Sequence, residues 1–152
     1  MQVTYRKAEK EDAPAIQSFQ LAMAWETEKL KLNEATLKEG VGAVFNSPEI
    51  GSYHVCCVDG EVAGSLLLLK EWSDWRNGNV WWIHSVYVKP EFRGQKLFSG
   101  MYAYVKKMAE ADSKVRGLRL YVEKTNRNAQ GVYEKLGMNG EHYSLFEWMK
   151  TF

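Results

Sequence analysis

The stretch from His84 to Phe98, HSVYVKPEFRGQKLF, constrains this chain more than any other. With the preceding Trp81, Trp82 and Ile83, the residues up to Val88 make a β-branched and aromatic run that predicts a buried strand. Pro90 and Gly94 then break it. From Gln95 onward the apolar residues Leu97, Phe98, Met101, Tyr102, Val105, Met108 and Ala109 recur at helical spacing. A strand therefore stops, a basic turn with one glycine follows, and a helix begins at once. Such a junction aims free backbone N–H groups and the positive end of a helix dipole at one spot. That spot suits a phosphate or pyrophosphate. Many α/β proteins carry the same junction for structural reasons alone, so its meaning depends on the rest of the chain.

At 152 residues the chain is expected to form a single domain over 1–152, large enough for a core without disulfides or metal. Twenty Lys and Arg face nineteen Asp and Glu, for a net charge of +1. Nothing in that balance recruits nucleic acid or an anionic membrane, and neither is expected as a partner. Six Trp and eight Tyr suit both a ring-filled core and a ring-lined pocket. Cys56 and Cys57 are neighbours in an apolar run, so on a strand they point to opposite faces and do not bridge each other. No Cys or His cluster has zinc-like spacing, and no metal is expected. The opening MQVTYRKAEKED is unlike a signal peptide, and no apolar run approaches membrane-spanning length. A soluble, cytoplasmic protein is the expectation.

Val3 to Arg6 reads as a first strand. Acidic residues from Glu9 to Asp12 and Pro14 then mark a helix start. Ile16, Phe19, Gln20, Met23 and Ala24 lie on one face of that helix, which runs to about Glu28. Asn33 caps a second helix from Glu34 to about Phe45, stopped by Asn46-Ser47-Pro48. Tyr53 to Val58 and Val62 to Leu69 are strands joined through Asp59-Gly60, a hairpin signal. Lys70 to Asn79 reads as a long polar loop feeding the His84 strand. Leu118 to Val122 is a fifth strand, Asn126 to Leu136 a helix ended by Gly137, and His142 to Met149 a closing strand. The order β-α-α-β-β-β-α-β-α-β predicts an α/β fold with a mixed, mostly antiparallel sheet and helices on both faces.

Two separated stretches carry a resemblance. Val88-x-Pro90-x-x-Arg93-Gly94 between strand and helix, followed further on by Asn126-x-x-Ala129-x-x-x-Tyr133-x-Lys135-x-Gly137, resembles the GNAT superfamily of acetyl-CoA-dependent N-acetyltransferases. The element order is similar too, so the resemblance covers nearly the whole chain. It implies a strand splayed from its neighbour whose backbone, here at Val86 and Val88, pairs with the pantetheine arm of the coenzyme. It also implies that main-chain amides from Arg93 to Phe98 (Arg93, Gly94, Gln95, Lys96, Leu97 and Phe98) bind the pyrophosphate. The family's Arg/Gln-x-x-Gly-x-Gly/Ala pattern is broken here by Lys96 and Phe98, which replace two small residues. Backbone donors survive that exchange, but the close approach that glycine permits does not. The Lys96 ammonium can itself reach a phosphate.

Acetyl transfer to an amine asks for a base for the amine proton, a donor to the carbonyl oxygen and an acid for the leaving thiolate. By resemblance Tyr133 is the acid; its other reading is a core tyrosine on an amphipathic helix. His84, two residues before Val86, stands where related enzymes often have a carboxylate base; it can equally anchor the strand as a buried histidine. Should His84 not serve, Glu26 or Glu28 acting through water is the next candidate. Asn126 either contacts the coenzyme or caps its helix. Glu26 and Glu28, between the first two helices, either attract a cationic amine or lie solvated at a helix end. Trp75 is the ring expected to wall an acceptor pocket, whereas Trp72, Trp81, Trp82 and Tyr143 suit core packing better. The resemblance implies an N-acetyltransferase acting on a small primary amine, polyamine- or amino-acid-like, by direct attack in a ternary complex, and a homodimer. The alternative is a GNAT-like domain that binds acyl-CoA without turnover.

Overall fold

Five strands pair in sequence order into one sheet: β1 (Val3–Lys7), β2 (Gly51–Val58), β3 (Glu61–Ser73), β4 (Gly78–Val88) and β5 (Val115–Arg119). A computed structural model of the chain describes residues 1–150 and adds four helices, α1 (Ala13–Glu28), α2 (Glu34–Asn46), α3 (Leu97–Ala111) and α4 (Arg127–Lys135). β1 to β4 are antiparallel and β4 pairs with β5 in parallel, so the sheet is mixed and mostly antiparallel, as expected. The chain divides into two compact units, Met1–Arg119 and the residues from Leu120 onward. The first holds the whole sheet with α1 to α3; the second holds α4. Among the described residues no helix is long and apolar enough to cross a membrane.

Turn chemistry sets the register. Asp59 and Gly60 both take left-handed backbone, with φ of 48° and 86°, the turn whose twist matches a hairpin. The β3–β4 hairpin is tighter than expected: only residues 74–77 connect the strands, because Lys70 to Ser73 and Gly78-Asn79 pair across the ladder. α1 starts behind a short 3-10 turn at Lys10–Asp12, where Asp12 accepts two hydrogen bonds from the Arg6 guanidinium at 2.7 and 3.1 Å. Asn33 caps α2 by accepting the Thr36 amide at 2.9 Å.

The two faces of β2 build two cores. Tyr53, Val55 and Cys57 pack with Ile16 of α1 and with Val41 and Val44 of α2. The alternate residues face α3. There His54 joins its Nδ1 to the Tyr104 hydroxyl at 3.1 Å and its Nε2 to Ser52 at 2.9 Å. Burial pulls the His54 imidazole down to about 4, so it is neutral at physiological pH. Tyr5, opposite Cys56 in the ladder, stacks on Tyr104 with ring centroids 6.1 Å apart. α3 lies so close to β1 that a Cβ at Gly100 would run into the Tyr5 hydroxyl. Cys56 and Cys57 are free and buried, one in each core.

One strand expectation needs adjustment. β5, described over Val115–Arg119, begins before the expected Leu118, because the Asn79 amide bonds the Lys114 carbonyl at 2.8 Å and starts the ladder earlier. The expected closing strand at His142–Met149 lies in the second unit, which shows no strand of its own among the described residues.

The head of α3 is strained. Gly94 has φ of 78° and Lys96, at the helix N-cap, has φ of 61° and ψ of 27°. A left-handed conformation costs a non-glycine residue about 1–2 kcal/mol. Part of that is offset because glycine loses more backbone entropy on folding. Lys96→Gly is therefore expected to stabilise the fold by about 0.5–1 kcal/mol, a rise of roughly 1–4 °C in thermal midpoint. A melting curve that falls on this substitution would show that the Lys96 side chain stabilises the turn by more than its backbone strains it.

Candidate functional site

The site grows out of the last part of β4. Within the first unit β4 pairs with β5 in parallel from Asn79–Val115 to Trp82–Arg119, and the strand runs on to Val88. On its other side β4 carries a bulge. His84 faces Leu67 and Tyr87 faces Ser65, so Ser85 and Val86 together oppose the single Leu66. Ser85 takes a left-handed φ of 53°, and its carbonyl accepts the Gln20 side-chain amide of α1 at 3.4 Å. Val86 and Val88, the expected pantetheine-strand residues, are half-buried on this stretch.

The strand leads straight into the anion turn. Pro90–Phe92 form a 3-10 turn, and the exposed Arg93 to Lys96 connect it to α3. The amides of Gly94, Gln95 and Lys96 meet no acceptor among the described residues, and the first turn of a helix leaves further donors unengaged. Leu97 is buried beneath the helix, and Phe98 lies beside Tyr102 with ring centroids 6.5 Å apart. The replaced glycine position thus keeps a glycine-like backbone while presenting a lysine, and the other replacement turns its ring along the helix.

Arg93 is held on three sides. Its Nε donates to the Val88 carbonyl at 2.8 Å, its Nη2 to Glu26 at 2.9 Å, and its guanidinium lies over the Tyr87 ring at 5.2 Å. The Tyr87 hydroxyl donates to the other Glu26 oxygen at 3.2 Å. The Arg93 guanidinium is the main reason the Glu26 carboxyl stays below the usual carboxylate range. Glu26 is therefore tied through Arg93 to the turn that precedes α3. Glu28 stands exposed at the end of α1, where Lys29 in left-handed backbone closes the helix. Trp75 is not brought to these residues. It sits 87% exposed in the β3–β4 turn, while the bulge at Ser85 lies seven residues past the start of β4, roughly 23 Å along the strand.

His84 is half-buried just before the bulge, its ring 5.9 Å from that of Trp82, and burial lowers its pKa. In the second unit, Asn126 caps α4 by accepting the Ala129 amide at 3.1 Å. Tyr133 lies half-buried on that helix, and burial pushes its phenol up. Two participants escaped the sequence reading. Tyr87 looked like one more strand aromatic. Gln20 was visible as a polar residue within the apolar stripe of α1, and that signal would have found it.

The family model for the acetyltransferase (GNAT) family matches residues 11–138. A bovine (Bos taurus) thialysine N-epsilon-acetyltransferase is 37% identical over 78 residues, a match covering 50% of this chain and 44% of that protein. The chain thus spans less than half the length of that relative. The crystal structure of a possible acetyltransferase from Clostridium difficile 630 is 38% identical, with all of both chains covered and a TM-score of 0.91. Glucosamine-6-phosphate N-acetyltransferase from Arabidopsis thaliana shares the fold at 16% identity, with a TM-score of 0.73 over 99% of this chain and 100% of that one. A bulged strand and an amide-lined turn thus stand within a sequence and fold of one kind, and the chain belongs to the acetyltransferase (GNAT) family.

Proposed function

We propose that this protein is an N-acetyltransferase that moves the acetyl group of acetyl-CoA to a primary amine of a small molecule, polyamine- or amino-acid-like, by direct attack in a ternary complex. One observation carries the reading: β4 bulges at Ser85–Val86 and then runs directly into a turn at the head of α3 whose Gly94, Gln95 and Lys96 amides meet no acceptor among the described residues. A ligand that is an extended amide-bearing chain ending in a pyrophosphate matches that succession. Val86 and Val88 offer backbone to the chain. Gly94 to Lys96 and the first turn of α3 through Phe98 offer amides to the phosphates, the Arg93 amide being held by the Pro90 carbonyl at 3.2 Å, and the Lys96 ammonium adds a charge. The name of the bovine relative, a thialysine N-epsilon-acetyltransferase, supports an amine acceptor.

Acetyl-CoA supplies the thioester, whose C–S bond breaks as the amine nitrogen bonds to the carbonyl carbon. The residues have three tasks. His84 takes the proton that the attacking amine sheds; burial keeps its imidazole neutral at physiological pH and so able to accept. A backbone N–H near Val86 donates to the carbonyl oxygen. Tyr133 gives its phenolic proton to the departing thiolate, and its raised pKa keeps that proton in place at neutral pH. Asn126 orders the start of the helix that carries Tyr133. The proposal includes a cytoplasmic homodimer. Lys96 and Phe98 favour a second reading, an acyl-CoA-binding domain without turnover, which release of CoA thiol in the presence of an amine panel would eliminate.

Calorimetry is expected to show acetyl-CoA binding well ahead of phosphate-free pantetheine; equal affinities would remove the pyrophosphate from the turn. Tyr133→Phe keeps the ring but not the proton, and turnover is expected to fall about 10²–10⁴-fold with coenzyme affinity and folding nearly unchanged. Wild-type turnover would return Tyr133 to a packing role. For His84 the sign follows from burial: its neutral form is favoured, so the acidic limb of the rate profile is expected below the ordinary histidine value of about 6.5. His84→Gln should fold, bind acetyl-CoA and lose that limb. An unchanged limb in the folded variant would pass the base to another group.

A further inference from the structure

Three side chains from separate parts of the first unit meet where α1 ends beside the anion turn. Glu26 accepts Arg93 on one carboxylate oxygen at 2.9 Å and the Tyr87 hydroxyl on the other at 3.2 Å. Arg93 is also anchored at its Nε by the Val88 carbonyl and along its plane by the Tyr87 ring. The pair is accessible: the side chains of Arg93 and Glu26 are 47% and 38% exposed. Lys29 adds a second, weaker positive influence on Glu26, and Glu91 contributes negative charge near Tyr87. One guanidinium therefore neutralises the carboxylate beside a turn whose amides await an anion.

We propose that Arg93 is a latch: in the coenzyme-free protein it covers Glu26, and a pyrophosphate at the turn draws the guanidinium to itself and leaves the carboxylate open to a cationic amine. The inference rests on the N-acetyltransferase reading and adds to it a coupling between coenzyme and amine that is carried by the Arg93–Glu26 pair. Charge decides the direction of exchange. A pyrophosphate carries more negative charge than one carboxylate and lies against the positive end of α3, so it outcompetes Glu26 for the same guanidinium. The guanidinium is a rigid planar fork, so the exchange swings the whole group and gives up its contacts with Val88 and Tyr87 together with Glu26. Glu26 keeps the Tyr87 hydroxyl as a donor after Arg93 leaves, so the freed carboxylate remains hydrogen-bonded and ionised. Coupling between two sites is reciprocal, so a bound amine tightens the coenzyme by the same factor. An exposed ion pair limits that factor to about two- to fivefold.

The test uses free CoA, which binds without turnover, and spermidine as the cationic amine. At low ionic strength, saturating CoA is expected to lower the spermidine dissociation constant about two- to fivefold. Side-chain carbon NMR should show the Glu26 carboxyl titrating higher once CoA is bound. Arg93→Gln should tighten spermidine by a similar factor with no CoA present, and in Glu26→Gln the effect of CoA on spermidine should vanish. The latch is overturned if CoA binds yet leaves the Glu26 titration unmoved, if spermidine affinity is the same (or undetectable) with and without CoA, or if the CoA effect survives in Glu26→Gln. Failure of CoA to bind the wild-type protein at all is a different outcome, which overturns the acetyltransferase reading itself.

Discussion

The candidate site depends on the bulge at Ser85–Val86, where two residues of β4 oppose the single Leu66 of β3. The extra residue increases the local twist and re-aims the strand just before it enters the turn ahead of α3. Gln20 of α1 holds the displaced Ser85 carbonyl, so the distortion is fixed by a helix on the face of the sheet. Bulge and turn are thus successive parts of one strand and its exit.

Charge is distributed with the same economy around the turn. Arg93, Lys96 and the helix dipole make the head of α3 positive, yet Arg93 is shared with Glu26 and stacked on Tyr87. A fully exposed arginine would lose more side-chain freedom on meeting an anion than one already held at its Nε and over a ring. Lys96 stands in a conformation that glycine adopts without strain. Its backbone therefore preserves the shape of the turn, and its side chain places a cation where the family pattern has none.

Most of the architecture was legible because local signals agreed with the tertiary outcome. Asp59-Gly60, Asn33, Pro14 and the apolar spacing of α3 each act within a few residues, and all appear where expected. The early start of β5 has the opposite cause, since where a segment begins to ladder depends on partners distant in sequence. The turn at Arg93–Phe98 could be read because strand, break and helix follow one another directly. The Glu26–Arg93–Tyr87 cluster could not, because it joins residues more than sixty positions apart whose individual patterns mean only a helix end, a basic turn and a strand ring. Trp75, a ring in a polar loop, is carried by the hairpin to the far end of β4 from the bulge.

Cys56 and Cys57 have a practical consequence. They are neighbours in sequence, but the pleat of β2 puts Cys57 in the core under α1 and α2 and Cys56 in the core under α3. Both are almost inaccessible, at 0% and 4% exposure, and burial pushes the Cys56 thiol up to about 11. Neither meets a thiol reagent unless its own layer opens. A single dipeptide thus carries two clocks. Labelling of Cys57 times the lifting of α1 and α2, and labelling of Cys56 times the release of α3. With one cysteine replaced at a time, the two layers can be asked separately which of them breathes first.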